Sequence, residues 1–135
     1  MTSKSLALSY LEKSLARFDI LTVLFNKKDY SDVIREAQEI VELCLKGMLR
    51  NVGIEPPKYH DVGPLFLEFK DRFLDISFAE AQKIAQISKG LRKERELSFY
   101  GDIDFIPTES YSEDDAATAI ENVKFVLGYA KKIIE

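Results

Sequence analysis

The chain has 135 residues, 31% of them charged, with a formal net charge of -4 at neutral pH. This length suits one domain that buries roughly two thirds of the surface its unfolded chain exposes, so its core needs neither a metal nor a disulfide. The acidic balance argues against broad electrostatic binding to nucleic acid and leaves room only for a local basic patch.

From Ser3 to Lys28, apolar residues recur as Leu8, Leu11, Leu15, Phe18, Leu21 and Phe25, with Thr22 beside Leu21. Steps of three and four residues specify an amphipathic helix. A second helix is expected to start near Asp29 to Ser31 and to end at Gly53, ahead of Pro56 and Pro57. Its inner face reads Val33, Ile34, Ala37, Val41, Cys44, Leu45 and Met48. The opposite face, Arg35, Glu39, Glu42 and Lys46, reads as solvated, with Glu42 and Lys46 paired at i,i+4. Cys44, the one cysteine, falls on the apolar face and is expected in the core.

A shorter helix is expected between Asp61 and Phe73, with Asp61 as cap and Pro64 tolerated in a first turn that has no donors to lose. Ser77 and Glu80 form a capping box for a long helix from Phe78 to about Phe99. Gly101 and Pro107 bracket an acidic loop, Asp102 to Tyr111. Ser112 then opens the last helix, with Glu113, Asp114 and Asp115 in its first turn and Lys131 and Lys132 near its end. Its inner face is read as Ala116, Ala119, Ile120, Val123, Val126, Leu127, Ala130 and Ile134. The fold class is all-α, as an antiparallel up-and-down four-helix bundle with one additional short helix, over residues 1–135 as a single domain. Leu43, Ile40 and Ile87 fall outside the main stripes and suggest a second buried surface, hence a homodimer.

No segment approaches the roughly 20 apolar residues that cross a bilayer. The N-terminus MTSKSLALSYLEKSL lacks the apolar run of a signal peptide, so a cytoplasmic protein with no membrane partner is expected. High lysine plus glutamate, with three asparagines and three glutamines, hints at a thermophilic source.

The chemistry is limited by a single histidine, His60. A di-metal carboxylate bundle needs Glu-x-x-His pairs on facing helices, and zinc needs a Cys/His set, so no metal site is expected. There is no Gly-rich phosphate loop, and His60 has no evident serine partner, so no cofactor and no simple nucleophilic catalysis are expected. The plain reading of His60 is structural, hydrogen-bonded at the start of the short helix.

Residues 89–102, KGLRKERELSFYGD, offer the better candidate. Read with Ala81, Ile84, Ser88, Leu91 and Ser98, Arg95 falls in register with core positions, and a guanidinium there needs an anionic partner or ligand. Lys89, Arg92, Lys93 and Arg95 gather positive charge suited to phosphate, diluted by Glu94 and Glu96. The plainer alternative pairs Arg95 with a carboxylate of another helix and leaves Tyr100 at the bundle's edge.

Two stretches, DYSDVIREAQEIVELCLKGMLRNVGIEPPKYHDVGPL and LRKERELSFYG, followed by a loop and a helix with Ala116, Ala117 and Ala119, resemble the HEPN domain family. This is the higher eukaryote and prokaryote nucleotide-binding family, here in a small prokaryotic form. The resemblance implies a dimeric antiparallel helical bundle, often encoded beside a minimal nucleotidyltransferase. Some members are metal-independent ribonuclease toxins with an Arg, four to six intervening residues and a His. Matched here, Arg95 takes the Arg position, and Tyr100 stands where the nearest His would be. Gly101 and Asp102 follow it, and counting from Arg92 gives Leu97, Ser98 and Phe99. Histidine titrates near 6.5 and tyrosine near 10, so a tyrosine there donates a hydrogen bond but makes a poor base.

The expectation is a HEPN-type module that binds a nucleotide, a nucleotidyltransferase partner or both, without catalysis of its own. Arg92, Arg95, Tyr100 and His60 are its candidate ligand contacts. One alternative is a divergent metal-independent ribonuclease of the toxin-antitoxin kind, in which Arg95 stabilises phosphate charge and Tyr100 or His60 moves the proton. The other is a structural dimerisation module.

Overall fold

The computed structural model describes residues 2–58 and 61–135. Its α-helices are α1 (Thr2–Asn26), α2 (Tyr30–Asn51), α3 (Gly63–Glu68), α4 (Phe78–Lys93), α5 (Arg95–Phe99), α6 (Pro107–Ser110) and α7 (Glu113–Ile134). One 3-10 turn, Lys70–Arg72, follows α3. The chain is all-helical among the described residues, where the sole extended pairing is an isolated bridge between Asp102 and Phe105.

Helix α2 is the hub, packing against α1, α7, α4 and each of the three short helices. Its expected inner face is buried throughout, and so are Ile40 and Leu49. At Gly47 a Cβ would lie 3.1 Å from Ile134 and 3.3 Å from Tyr10, so a missing side chain lets α1, α2 and α7 meet closely. Beneath α3, the rings of Phe66 and Phe73 stack with centroids 4.6 Å apart and close that end of the core.

Several helix ends follow local chemistry. Ser77 and Glu80 form the expected box, with the Ser77 N–H donating to Glu80 Oε1 at 2.8 Å and the Glu80 N–H to Ser77 Oγ at 3.1 Å. Ser112 and Asp115 form the same box on α7, at 2.9 and 3.1 Å. Asp61 accepts the Gly63 N–H at 3.1 Å, although Val62 holds the formal cap position. It also accepts the Ser88 hydroxyl at 2.9 Å, tying the start of α3 to α4.

Four expectations are corrected. The long helix from Phe78 breaks at Glu94, whose N–H turns in to the Leu91 carbonyl at 3.1 Å while its carboxylate accepts the Tyr111 hydroxyl at 2.7 Å. The loop from Asp102 to Tyr111 contains a bridged turn and α6. On α1, Leu8 and Leu15 are exposed and the buried positions are Ala7, Leu11, Ser14 and Leu21, because apolar residues occur on nearly every side of this helix. Ile40 and Ile87 are buried within this chain, and Leu43 is half-buried, so the three do not form an exposed apolar stripe of their own. The large apolar side chains left exposed include Leu8, Leu15, Ile20 and Val23 on α1, and Phe99, Tyr100, Ile103 and Ile106 around α5 and α6.

Candidate functional site

The break at Glu94 decides where Arg95 goes. Ala81, Ile84, Ser88, Leu91 and Ser98 are buried, whereas the Arg95 side chain keeps 33% of its surface. Its Nη2 lies 3.3 Å from Glu39 Oε1 on α2. One helical turn earlier, Arg92 Nη1 lies 2.9 Å from Glu42 Oε1. Two arginines of α4 and α5 thus meet two glutamates of α2 at matching three-residue spacing.

This covers the face of α2 that reads as solvated. Lys46 reaches the other oxygen of Glu42 at 3.5 Å, as the i,i+4 spacing predicts, and Gln38 Nε2 donates to Glu42 Oε1 at 3.3 Å. Arg35 bridges the two elements: its Nε is 3.5 Å from Glu39, its Nη1 donates to the Arg95 carbonyl at 3.3 Å, and its guanidinium sits 4.9 Å from the Phe99 ring centroid. Partly exposed pairs of this kind contribute about 0 to 1 kcal/mol each.

Tyr100 ends α5 with 71% of its surface exposed, edge-on to Phe99 with centroids 4.8 Å apart. Both rings line a cleft of about 620 Å³ with Lys27, Lys28 and Asp29 from the α1–α2 turn, Asp32 from the first turn of α2 and Thr108 from α6. Lys28 adopts a left-handed φ of 61°, and the next N–H, of Asp29, reaches back to the Leu24 carbonyl at 2.9 Å. Arg92 and Arg95 do not line this cleft. Arg35 connects the two places, since it touches the Arg95 backbone and the Phe99 ring.

Asp32 is a titratable group that the sequence pattern does not single out. Burial, then a hydrogen bond with Asp29 and that residue's charge, push its carboxyl up to about 6, against the opposing pull of Arg35. Asp29, which with Ser31 is one of two residues that could cap α2, holds the cap position without a side-chain cap hydrogen bond. Two carboxylates three residues apart at a helix start are the available signal. A carboxyl near 6 is mostly deprotonated at neutral pH yet within reach of its proton, so it can accept one there, which an ordinary tyrosine, still holding its own, cannot. Deeper in, burial and Glu94 hold the Tyr111 hydroxyl well above the usual phenol range.

His60 lies outside the described residues, and so does its expected hydrogen bond. Among the described residues no group of three or more His, Cys, Asp or Glu is placed to hold a metal, and no helix is long and apolar enough to cross a membrane. Cys44 is buried in the core as expected, and its thiol is pushed up to about 12 by desolvation.

Against models of known families, the chain matches the HEPN domain over residues 7–133. No curated protein and no solved structure matches it.

Proposed function

The chain belongs to the HEPN domain family, and from that premise we propose that it is a homodimeric module that binds a nucleotide, alone or presented by a nucleotidyltransferase partner, without catalysis of its own. In this reading α1, α2, α4 and α7 are the antiparallel bundle of the family. The ligand's phosphate exchanges with Glu39 and Glu42 on Arg95 and Arg92, and Tyr100 donates a hydrogen bond from the cleft edge. Neither a cofactor nor a metal is required. A cytoplasmic setting, beside a minimal nucleotidyltransferase in a toxin-antitoxin pair, fits the same reading.

The observation that carries it is the pair of half-exposed arginines, Arg92 and Arg95, held by weak ion pairs beside a cleft lined with aromatic rings and two lysines. Thermal unfolding with ATP, AMP and a short single-stranded RNA tests it. A rise in melting temperature for the native chain that Arg95→Ala loses supports the reading. No rise in either chain overturns nucleotide binding and leaves a dimerisation module.

A metal-independent ribonuclease is the second reading, favoured by the raised Asp32 carboxyl in the cleft that Tyr100 shares. Cleavage of single-stranded RNA in the presence of a chelator, lost in both Arg95→Ala and Asp32→Asn, supports it. An uncut substrate under those conditions refutes it.

A further inference from the structure

Helices α4 and α7 run antiparallel, since Glu80 accepts a hydrogen bond from the Tyr129 hydroxyl at one end and Glu94 accepts one from Tyr111, just before α7, at the other. Between them lies an open groove of about 670 Å³. Its floor is apolar, formed by Ile34, Ile87, Leu91 and Ala119. Gly90 opens onto it, and a Cβ there would meet nothing within 4 Å. A glycine inside a helix costs about 1 kcal/mol relative to alanine, and no packing within this chain requires it here.

The ends of the groove differ in charge. Glu94 and Asp115 stand at one end, and Lys83 with Gln86 and Asn122 at the other. From Lys83 to Glu94 the groove runs roughly 16 Å at the helical rise per residue.

Beside the acidic end stands the turn Asp102–Phe105, which carries Ile103 at its tip with 91% of its surface in water. The turn is closed by Asp102 N–H to the Phe105 carbonyl at 2.9 Å and Phe105 N–H to the Asp102 carbonyl at 3.0 Å. The Ile103 N–H adds a bond to Asp102 Oδ1 at 2.7 Å. Gly101 starts the turn at a φ of 71°, where a Cβ would lie 2.4 Å from the Phe105 carbonyl oxygen. A rigid turn therefore displays an isoleucine flanked by two aspartates, next to a groove whose far end carries a lysine.

We propose that the occupant of this groove is a second copy of the chain, with Ile103 of each protomer seated between α4 and α7 of the other. A two-fold axis across the groove places the acid-flanked turn of one copy at the lysine end of its partner, and the reverse contact is the same contact. Asp102 and Asp104 then face the Lys83 end rather than Glu94 and Asp115 of their own chain, and the apolar floor is covered twice over in one assembly. This inference rests on the dimer reading above and goes beyond it by naming the surface.

Sedimentation equilibrium on the native chain and on Ile103→Asp, with circular dichroism as a folding control, tests the seat. Because Ile103 makes little contact within its own chain, the variant is expected to fold. Two buried isoleucines per dimer predict a dissociation constant weakened by at least about a hundredfold. The second measurement is cross-linking by a short bismaleimide in a chain carrying both Ile103→Cys and Asn122→Cys. Covalent dimer from the double variant, and from neither single variant, supports the seat; buried Cys44 does not compete. A native dimer that Ile103→Asp leaves intact and that does not cross-link overturns the seat, keeps the dimer reading, and turns attention to Leu8, Leu15 and Val23 on α1. A native chain that stays monomeric overturns both, while the nucleotide response is read separately.

Discussion

Replacing Asp32 by asparagine keeps the shape of the side chain and removes its charge. The native carboxyl titrates at about 6 against an ordinary 3.8, so the folded chain holds this proton more tightly than the unfolded one. A group whose folded value is raised contributes stability that is complete below its unfolded value and is lost as pH rises through the folded one. The native chain therefore loses this contribution between about pH 4 and pH 6. The gap between those two titration points sets an upper bound of roughly 3 kcal/mol, and solvent screening of a half-buried carboxyl reduces it to about 1 kcal/mol. In a domain of this size that is about 4 °C in melting temperature. The assay is thermal unfolding of native and Asp32→Asn chains at several pH values from about 4 to 7.5, spanning the ordinary and the raised titration points, read as the difference between the two chains. All other carboxyl groups are common to both chains and largely cancel. The difference is expected to move in favour of Asp32→Asn by about 4 °C across that window. A difference that stays flat, or that moves towards the native chain, refutes the account of Asp29 and Asp32 as a mutually repelling, partly desolvated pair.

Gly101→Ala is expected to destabilise the chain by about 1 to 3 kcal/mol, since the added Cβ meets the Phe105 carbonyl oxygen and Pro107 at a left-handed φ; denaturant unfolding measures this, and a neutral result contradicts the closed turn. Cys44 is expected to resist thiol reagents in the native chain at mildly alkaline pH and to react at the rate of unfolding, because burial disfavours its thiolate. Rapid labelling under native conditions contradicts that burial.

Much of the fold is legible in the sequence because it is written in short-range order. The inner face of α2 and the Ser77 and Ser112 helix starts depend on residues within one or two turns, so periodicity and capping chemistry locate them. The inner face of α7 is found the same way, with only Ile120 left half-buried. The candidate site is less legible. The pattern correctly marks Arg95 as needing an anionic partner, but at the break at Glu94, whose carboxylate accepts the hydroxyl of Tyr111 17 positions away, Arg95 stays partly exposed while Ser98 keeps its buried place. The face of α2 bearing Glu39 and Glu42 carries the pattern of a solvated surface, and the arrival of α4 and α5 makes it the inner side of an ion-pair layer. Asp29 reads as a helix-start residue, and burial beside it raises the carboxyl of Asp32, which the pattern does not single out.

What the sequence by itself determined is the longer helices and the short α3, though not the break before α5 or the turn of α6, together with the stripes most of them bury, the capping of α4 and α7, and the family to which the chain belongs. Each of these follows from interactions spanning a few residues or from the order of motifs along the chain. Only the tertiary structure decided that Arg95 stays half-exposed, that Asp32 shares a cleft with Tyr100, and that a groove lies open between α4 and α7 beside the turn carrying Ile103. Those outcomes depend on which helices meet around α2 and how much water they exclude, and burial and charge between distant segments are properties of packing rather than of local sequence.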